Sequence, residues 1–194
     1  LWCAGCATGE EPYSLAILLQ EELPDINDWN ILLMATDINR HSLAYAAQGV
    51  YGDRSFRSET PPYIRKRYFH TNGHTVELVP EIRQMVRFSY HNLAEDNYPS
   101  AANNTLGLDL IMCRNVTIYF PQETTRRIVQ RFRESLAEDG WLIVGHSEPH
   151  LSLYAGFEAR NFEATVIYQK APKSEAKEPI IWWTNEPTTP PQAD

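Results

Sequence analysis

The stretch that decides the fold is LWCAGCATGEEPYSLAILLQEEL, residues 1–23. Its first four residues are apolar and precede a loop with two glycines, which predicts a buried strand that ends at Ala4. Pro12 stands where a proline suits the first turn of a helix. Four leucines then recur at helical spacing: Leu15, Leu18, Leu19 and Leu23. We therefore expect a strand, a tight turn and a helix with one buried leucine stripe.

The alternation of strand and helix continues along the chain. Short apolar runs predict further strands at 31–35, 86–90, 108–113 and 141–144. Residues 42–48 read as a helix that stops at Gly49. A second amphipathic helix, which stops at Gly140, is marked by Ile128, Val129, Phe132 and Leu136. This pattern predicts an α/β fold with a doubly wound, mostly parallel, Rossmann-like sheet.

Two segments depart from the parallel pattern. Asn72-Gly73 separates two β-prone runs, which is a strong hairpin signal because both turn positions tolerate positive φ. We therefore expect a small inserted antiparallel β-subdomain at 61–85. Residues 157–160 and 165–170 are expected to close the main sheet as an antiparallel pair. The domain then covers 1–170, and the Pro-rich stretch 171–194 is a tail or linker.

Composition limits the classes of function. The chain has 194 residues, is 43% hydrophobic and carries a formal charge of -8. Without a Lys/Arg cluster to neutralise phosphates, no nucleic-acid partner is expected. No apolar run approaches the roughly 20 residues that span a bilayer, so we expect a cytoplasmic protein without membrane insertion. Because the sequence begins inside an apolar strand, we expect it to be a fragment.

Cysteine usage predicts neither disulfides nor a metal. Cys3 and Cys6 form a C-x-x-C, typical of a redox pair or half of a zinc site, but no second pair completes it. His146 and His150 are separated by Pro149, which disfavours a shared helical face. We expect reduced thiols and unrelated loop histidines.

Ligands of open α/β sheets bind beyond the carboxyl ends of the strands. The first such loop, Gly5 to Glu11, is not G-x-G-x-x-G and carries two carboxylates. An acidic loop repels a pyrophosphate and attracts a cation, which disfavours a nicotinamide dehydrogenase and favours a positively charged cofactor. The alternative is that Glu10 and Glu11 only stabilise the helix N-terminus.

Polar residues also follow the next two strands. Asp37 is placed to accept hydrogen bonds from ribose hydroxyls, or to cap the following helix. Asn92 and Leu93 offer an amide edge and an apolar wall for an adenine ring, although asparagine is also a common turn former.

The densest signal is CRNVTIYF, residues 113–120. Arg114 and Asn115 directly follow a buried strand, a position that requires a partner for each. Tyr119 lies close behind. A ligand is one such partner, and a structural ion pair of Arg114 is the alternative.

Several motifs together resemble the CheR-type chemoreceptor methyltransferases. In chain order they are ATGEEPYS (7–14), ATDI (35–38), Asn92-Leu93, CRNVTIYF (113–120) and GHSE (145–148). The resemblance covers about residues 1–170. It implies a class I methyltransferase fold, S-adenosylmethionine as methyl donor, S-adenosylhomocysteine as product, no metal, and a receptor glutamate as acceptor.

The resemblance also implies roles for particular residues. Arg114 and Tyr119 become the catalytic candidates, with Tyr119 beside the transferred methyl group. The cofactor-binding candidates are Gly5, Glu11, Asp37, Ile38, Asn92, Leu93, Arg114 and Asn115.

Partners follow from the same resemblance. It implies the cytoplasmic domain of a chemoreceptor as substrate and, in some members, a receptor C-terminal peptide held at the β-subdomain. From the resemblance we expect residues 1–194 not to include the family's N-terminal helical domain, and Asn39 replaces a second acid common in the D-I-D motif. A receptor of a non-chemotactic pathway, and a non-catalytic cofactor-binding module, are the alternative functions.

Overall fold

A computed structural model describes residues 1–56, 60–148, 153–162 and 165–171. The strands are β1 (Trp2–Ala4), β2 (Leu33–Asp37), β3 (Val50–Gly52), β4 (Phe69–Asn72), β5 (Thr75–Leu78), β6 (Val86–Tyr90), β7 (Leu108–Cys113), β8 (Leu136–Val144), β9 (Phe157–Phe162) and β10 (Thr165–Lys170). The helices are α1 (Glu10–Glu22), α2 (Arg40–Ala46), α3 (Pro62–Tyr68), α4 (Pro80–Met85) and α5 (Gln122–Ser135).

Seven strands form the main sheet, in the order β6-β2-β1-β7-β8-β10-β9. The first five are parallel to one another, and β10 pairs antiparallel with both β8 and β9. This confirms the predicted doubly wound sheet and its antiparallel closing pair. From β1 the chain builds outward to β2 and β6, and it then returns to place β7 on the other side of β1.

The β1 strand separates two hydrophobic cores because successive side chains of a strand point to opposite faces. Trp2 packs with Phe132 of α5 on one face, and Cys3 lies in the core that contains Tyr13 of α1 on the other. The Trp2 ring is fully buried and makes an edge-to-face contact with Phe132, with 5.5 Å between the ring centroids. Its indole N–H donates to Thr36 Oγ1 over 2.9 Å. The aromatic contacts and the hydrogen bond fix the centre of the sheet.

The second sheet is small and antiparallel, in the order β3-β5-β4. The β4–β5 pairing, with Asn72 opposite Thr75, confirms the Asn72-Gly73 hairpin. The third strand, β3, lies before the segment 61–85 and was not predicted, because three residues give too short a pattern. The domain boundaries stay a prediction, and apart from Ala171 the tail lies outside the described residues.

The leucines predicted to form the buried stripe of α1 are at most partly buried, although Leu15 packs against the core. The helix buries Pro12, Tyr13, Ala16 and Ile17, whereas Leu18 is 54% exposed. Hydrophobicity alone favours leucine over a small Ala or an amphipathic Tyr for a buried face, yet Tyr13 is buried because its hydroxyl donates to the carbonyl of Ala46 at 2.9 Å.

The predicted end of α5 is wrong. The helix stops at Ser135, and Leu136 already pairs with Leu108 in the sheet. The buried Lys170 donates to the Leu136 carbonyl over 2.7 Å, which satisfies a group that continuing the helix would have paired internally. Asp139, at φ 62°, forms an irregularity within β8 that lets Trp141 rejoin the ladder opposite Leu110.

In the described part of the chain, no helix combines the length and the apolar character that crossing a bilayer requires.

Candidate functional site

The carboxyl ends of the five parallel strands share one edge of the main sheet. The strand order reverses between β1 and β7, so the loops that leave these two strands border a crevice. Registers place Cys3 beside Met112, next to that crevice. This is the edge at which the sequence placed its candidate residues.

The loop after β1 is held close to its neighbours by its backbone. The N–H groups of Gly5 and Cys6 both donate to the Thr36 carbonyl, at 2.8 and 2.9 Å. Gly5 has φ 84°, and a Cβ there would lie 2.4 Å from Cγ2 of Val116. Gly5 is therefore required by the contact between two loops, in addition to any approach to a ligand.

Asp37 ends β2 and ties this loop down. Its Oδ2 accepts from the Ala7 N–H, and its Oδ1 accepts from the Asn39 N–H, both at 2.8 Å. The helix cap of α2 is Asn39, whose side chain accepts from the His41 and Ser42 N–H groups. The alternative that Asp37 caps the helix is therefore wrong. Asn39, which stands where the family commonly has a second acid, caps α2. The next residue, Ile38, is 60% exposed at the rim.

The loop after β6 uses Asn92 as a turn former. Its Oδ1 accepts from the Ala94 N–H at 3.1 Å, and its amide donates to Glu95 at 3.1 Å. Leu93 is 6% exposed and packs in the core. Arg131 of α5 clamps the same loop by donating to the Glu95 carbonyl at 2.8 Å. A cofactor role for Asn92 and Leu93 stays a prediction.

Glu11 and Arg114 meet across the crevice. Arg114 Nη1 lies 3.2 Å from Glu11 Oε2, which joins the start of α1 to the end of β7. Burial raises the pKa of Glu11 above its ordinary value, and the Arg114 guanidinium offsets part of that rise. The ion pair that was the alternative for Arg114 is present, and the side chain keeps 37% of its surface exposed to the crevice or to solvent.

The segment after Arg114 carries the most exposed candidate. Asn115 adopts φ 59°, and a short 3-10 turn follows at Thr117–Tyr119. Tyr119 is 79% exposed and Ile118 is 50% exposed. A phenol and an apolar side chain of this segment are therefore exposed.

One residue of the site was missed as a functional residue. Glu148, on the loop after β8, is buried, and its carboxylate accepts hydrogen bonds from the segment that follows Arg114. The available signal was a carboxylate shortly after a predicted strand, within the GHSE motif. Its partners in that segment were not predictable, because they lie more than 30 residues earlier in the chain.

The three cysteines are free and buried. Burial raises the pKa of Cys6 to about 12 and raises the pKa values of Cys3 and Cys113 further, so the thiols are not activated for redox chemistry. Among the residues that the structure describes, no group of three His, Cys, Asp or Glu side chains is arranged to hold a metal ion. His150 lies outside the described residues.

Comparisons with known proteins identify the family of the chain. Residues 1–165 match the family model described as CheR methyltransferase, SAM binding domain. The chain is similar to chemotaxis protein methyltransferase 2 of Vibrio cholerae, with 33% identity over 178 residues, 92% of this chain and 61% of that protein. It is also similar to a chemotaxis protein methyltransferase of Listeria innocua, with 37% identity over 152 residues, 78% of this chain and 54% of that protein.

A solved structure supports the fold. A TehB-like SAM-dependent methyltransferase from Corynebacterium glutamicum aligns with a TM-score of 0.51, covering 88% of this chain and 79% of that chain. At 13% identity this similarity shows the fold alone. The chain spans 54–61% of the length of the two relatives named above.

Proposed function

This chain belongs to the CheR methyltransferase family, and we propose that it transfers a methyl group from S-adenosylmethionine to glutamate side chains on the cytoplasmic part of chemoreceptors. S-adenosylmethionine is the cofactor of the SAM-binding domain that the chain matches. The acceptor and the receptor class are the proposed part.

The observation that carries the proposal is the chemistry of the rim. Carboxylates from Glu11 and Asp37 lie at the carboxyl edge of the main sheet, and Arg114 is the cation that pairs with Glu11. Asp37 accepts two backbone hydrogen bonds, one on each oxygen, and is only partly buried. Each oxygen therefore keeps a lone pair for a hydroxyl group. Such a rim fits an adenosine with a cationic sulfur and disfavours a pyrophosphate.

Each candidate residue has a role in this proposal. Asp37 accepts the ribose hydroxyls, Ile38 and Leu93 provide apolar surface for the adenine, and the Glu11–Arg114 pair orients the amino acid part of the donor. Gly5, Asn92 and Asn115 provide backbone and amide contacts to the same molecule. When bound, S-adenosylmethionine supplies an electrophilic methyl group on a cationic sulfur.

The chain's own residues need to supply orientation rather than a base. A glutamate, with a reference pKa of about 4.3, is ionised at neutral pH, so no proton has to be removed from the acceptor. Tyr119 and Arg114 hold the acceptor oxygen in line with the methyl group and exclude water from it. The products are a glutamyl methyl ester and S-adenosylhomocysteine.

The small sheet is the proposed site for a receptor C-terminal peptide. Strands β3 and β4 are the two outer strands of that sheet, and an outer strand offers unpaired backbone groups to an extended peptide. The cytoplasmic location expected from the sequence stays a prediction.

The test is a methyl transfer assay with the intact natural protein, tritium-labelled S-adenosylmethionine and purified receptor cytoplasmic fragments. We expect label on the receptor that base releases as methanol, the signature of a methyl ester. Tyr119→Phe is expected to lower the rate by about tenfold. Tyr63→Phe, a change at an exposed tyrosine of α3, is the matched control.

Other outcomes would redirect the proposal. Cofactor binding without labelled receptor would favour a non-catalytic module, and label on a receptor of another pathway would change the substrate. An unchanged rate in both Tyr119→Phe and Arg114→Ala would refute the catalytic assignment.

A further inference from the structure

Three consecutive backbone N–H groups after Arg114 point at one carboxylate. The Asn115 N–H donates to Glu148 Oε2 at 2.7 Å, and the N–H groups of Val116 and Thr117 donate to Oε1 at 2.9 and 2.8 Å. The left-handed conformation of Asn115 belongs to this arrangement, since successive amides converge only when the backbone turns sharply.

The same carboxylate also binds its own loop. Gly145 donates its N–H to Oε2 at 2.6 Å, and the Thr117 hydroxyl donates to Oε1 at 2.7 Å. A Cβ on Gly145 would lie 2.6 Å from that Oε2 and 3.0 Å from the Asn115 nitrogen. Glu148 therefore locks the loop after β8 to the loop after β7, and only glycine fits at position 145.

Hydrogen-bond donors compensate the charge of Glu148. Among the described residues, no Lys, Arg or His lies within salt-bridge distance of it, and the side chain is 6% exposed. Burial alone would raise the pKa of Glu148, but the hydrogen bonds from Thr117, Asn115 and Gly145 lower it below its ordinary value. The group is thus a permanent anion at neutral pH, and its five donors leave little capacity for a ligand.

We infer that Glu148 is a positioning residue of the cofactor site, which acts by holding the backbone that carries Arg114 and Tyr119. Arg114 extends from this fixed backbone to Glu11, and the Tyr119 N–H donates to the Val116 carbonyl at 3.2 Å. The inference rests on the proposed function only where it concerns methyl transfer. Its cofactor-binding part rests on the SAM-binding domain alone.

The first experiment is calorimetric titration of Glu148→Gln with S-adenosylhomocysteine. A glutamine places an NH2 group against N–H donors, so the loop must move. We expect one binding site per chain with a dissociation constant raised by about tenfold, the effect of losing hydrogen bonds to a charged group. A purely structural role predicts fewer binding-competent molecules with an unchanged dissociation constant. That result would overturn the inference.

A gentler pair of variants decides the question if Glu148→Gln does not fold. Thr117→Val removes one hydroxyl donor, while Thr117→Ser keeps it. We expect Thr117→Val to raise the dissociation constant by about threefold, in line with one hydrogen bond, and Thr117→Ser to match the wild type. Equal dissociation constants in the two variants would contradict the inference. Glu123→Gln, an exposed position of α5, is the control for loss of a carboxylate.

A methyl transfer assay separates this inference from the proposed function. We expect Glu148→Gln, saturated with S-adenosylmethionine, to have a kcat at least tenfold below wild type. A wild-type protein that binds the cofactor but labels no receptor would refute the proposed function, and the titrations would still decide the role of Glu148. A wild-type kcat in the saturated variant would limit the role of Glu148 to cofactor binding and would contradict the part that concerns Tyr119.

Discussion

Asp37 and Glu148 are two carboxylates at the same edge of the sheet, and they differ in burial and in the number of hydrogen bonds that they accept. Asp37 is partly buried and accepts two N–H groups, whereas Glu148 is 6% exposed and accepts four N–H groups and a hydroxyl. The first retains a free lone pair on each carboxylate oxygen, and the second has nearly none left. The number of donors that each carboxylate already accepts therefore distinguishes Asp37, which can accept further hydrogen bonds, from Glu148, which holds two loops together.

The largest expected effect concerns stability. Glu148→Ala leaves four N–H groups of two loops without an acceptor in a buried place, and we expect the free energy of unfolding to fall by about 3 kcal/mol or more. Asp37→Ala should cost about 1 kcal/mol, because water reaches the amides that it leaves. Urea denaturation of both variants measures the difference. Equal losses would break the comparison.

The second effect is on cofactor affinity, and here we expect a large change from a substitution of Asp37 that costs little stability. Asp37→Asn removes the charge that faces the proposed ribose, so we expect the dissociation constant for S-adenosylhomocysteine to rise by about 10- to 100-fold. The free energy of unfolding should change by less than about 1 kcal/mol. A titration paired with urea denaturation tests both. An unchanged affinity would show that Asp37 only ties down the loop.

A smaller effect on cofactor affinity is expected to distinguish two tyrosines whose hydroxyl groups make hydrogen bonds of the same length. Tyr51 donates to the Thr8 carbonyl in the loop after β1, and Tyr13 donates to the Ala46 carbonyl, each at 2.9 Å. Changing either one to Phe should cost about 1 kcal/mol of stability. Only Tyr51→Phe should also weaken cofactor binding, since its partner belongs to the first loop of the crevice. Titration of the two variants side by side makes the comparison, and equal affinities would contradict it.

The smallest expected effect is a pH dependence. Burial lowers the pKa of His91 below its ordinary value, with a partial offset by Glu95. The unfolded chain takes up a proton as pH falls through about 6.5, while the folded protein does so only at lower pH. Stability therefore falls as pH falls below that value, because the unfolded state binds more protons.

His91→Phe tests this pH dependence. It removes the titrating group and the Nε2, which has no hydrogen-bond partner among the described residues, but keeps an aromatic ring beside Trp2. The free energy of unfolding, compared at pH 7.5 and 5.5, should change less in this variant than in the wild type. Glu148 does not contribute in this window, since its lowered pKa places its loss of stability at more acidic pH. An identical difference in both proteins would refute the assignment.

The sequence predicts the sheet well because buried parallel strands are apolar runs with polar residues at their ends. Strands β6 and β7 were placed at the bounds that the structure gives. The same logic led to Asp37 and Arg114, since each directly follows such a run. The capping role of Asn39 and the turn role of Asn92 were harder to assign, because asparagine serves both ligands and turns.

The structural features that the sequence did not predict depend on contacts with residues distant in the chain. The burial of Tyr13 depends on a carbonyl in α2, and the start of β8 at Leu136 depends on Lys170 at the end of β10. Four of the five donors to Glu148 belong to the loop after β7, which becomes adjacent only after β7 and β8 pair. The fifth is the N–H of Gly145, in the same loop as Glu148. Local patterns carry no information about such partners.

We propose that the carboxyl edge of the sheet binds a cationic sulfur donor through the carboxylates of Glu11 and Asp37. Calorimetric titration of the intact natural protein with S-adenosylmethionine, beside the same titration of Asp37→Asn, tests it most directly. We expect one molecule bound per chain, with clearly weaker binding in the Asp37→Asn variant. A folded wild-type protein that binds neither S-adenosylmethionine nor S-adenosylhomocysteine would contradict it.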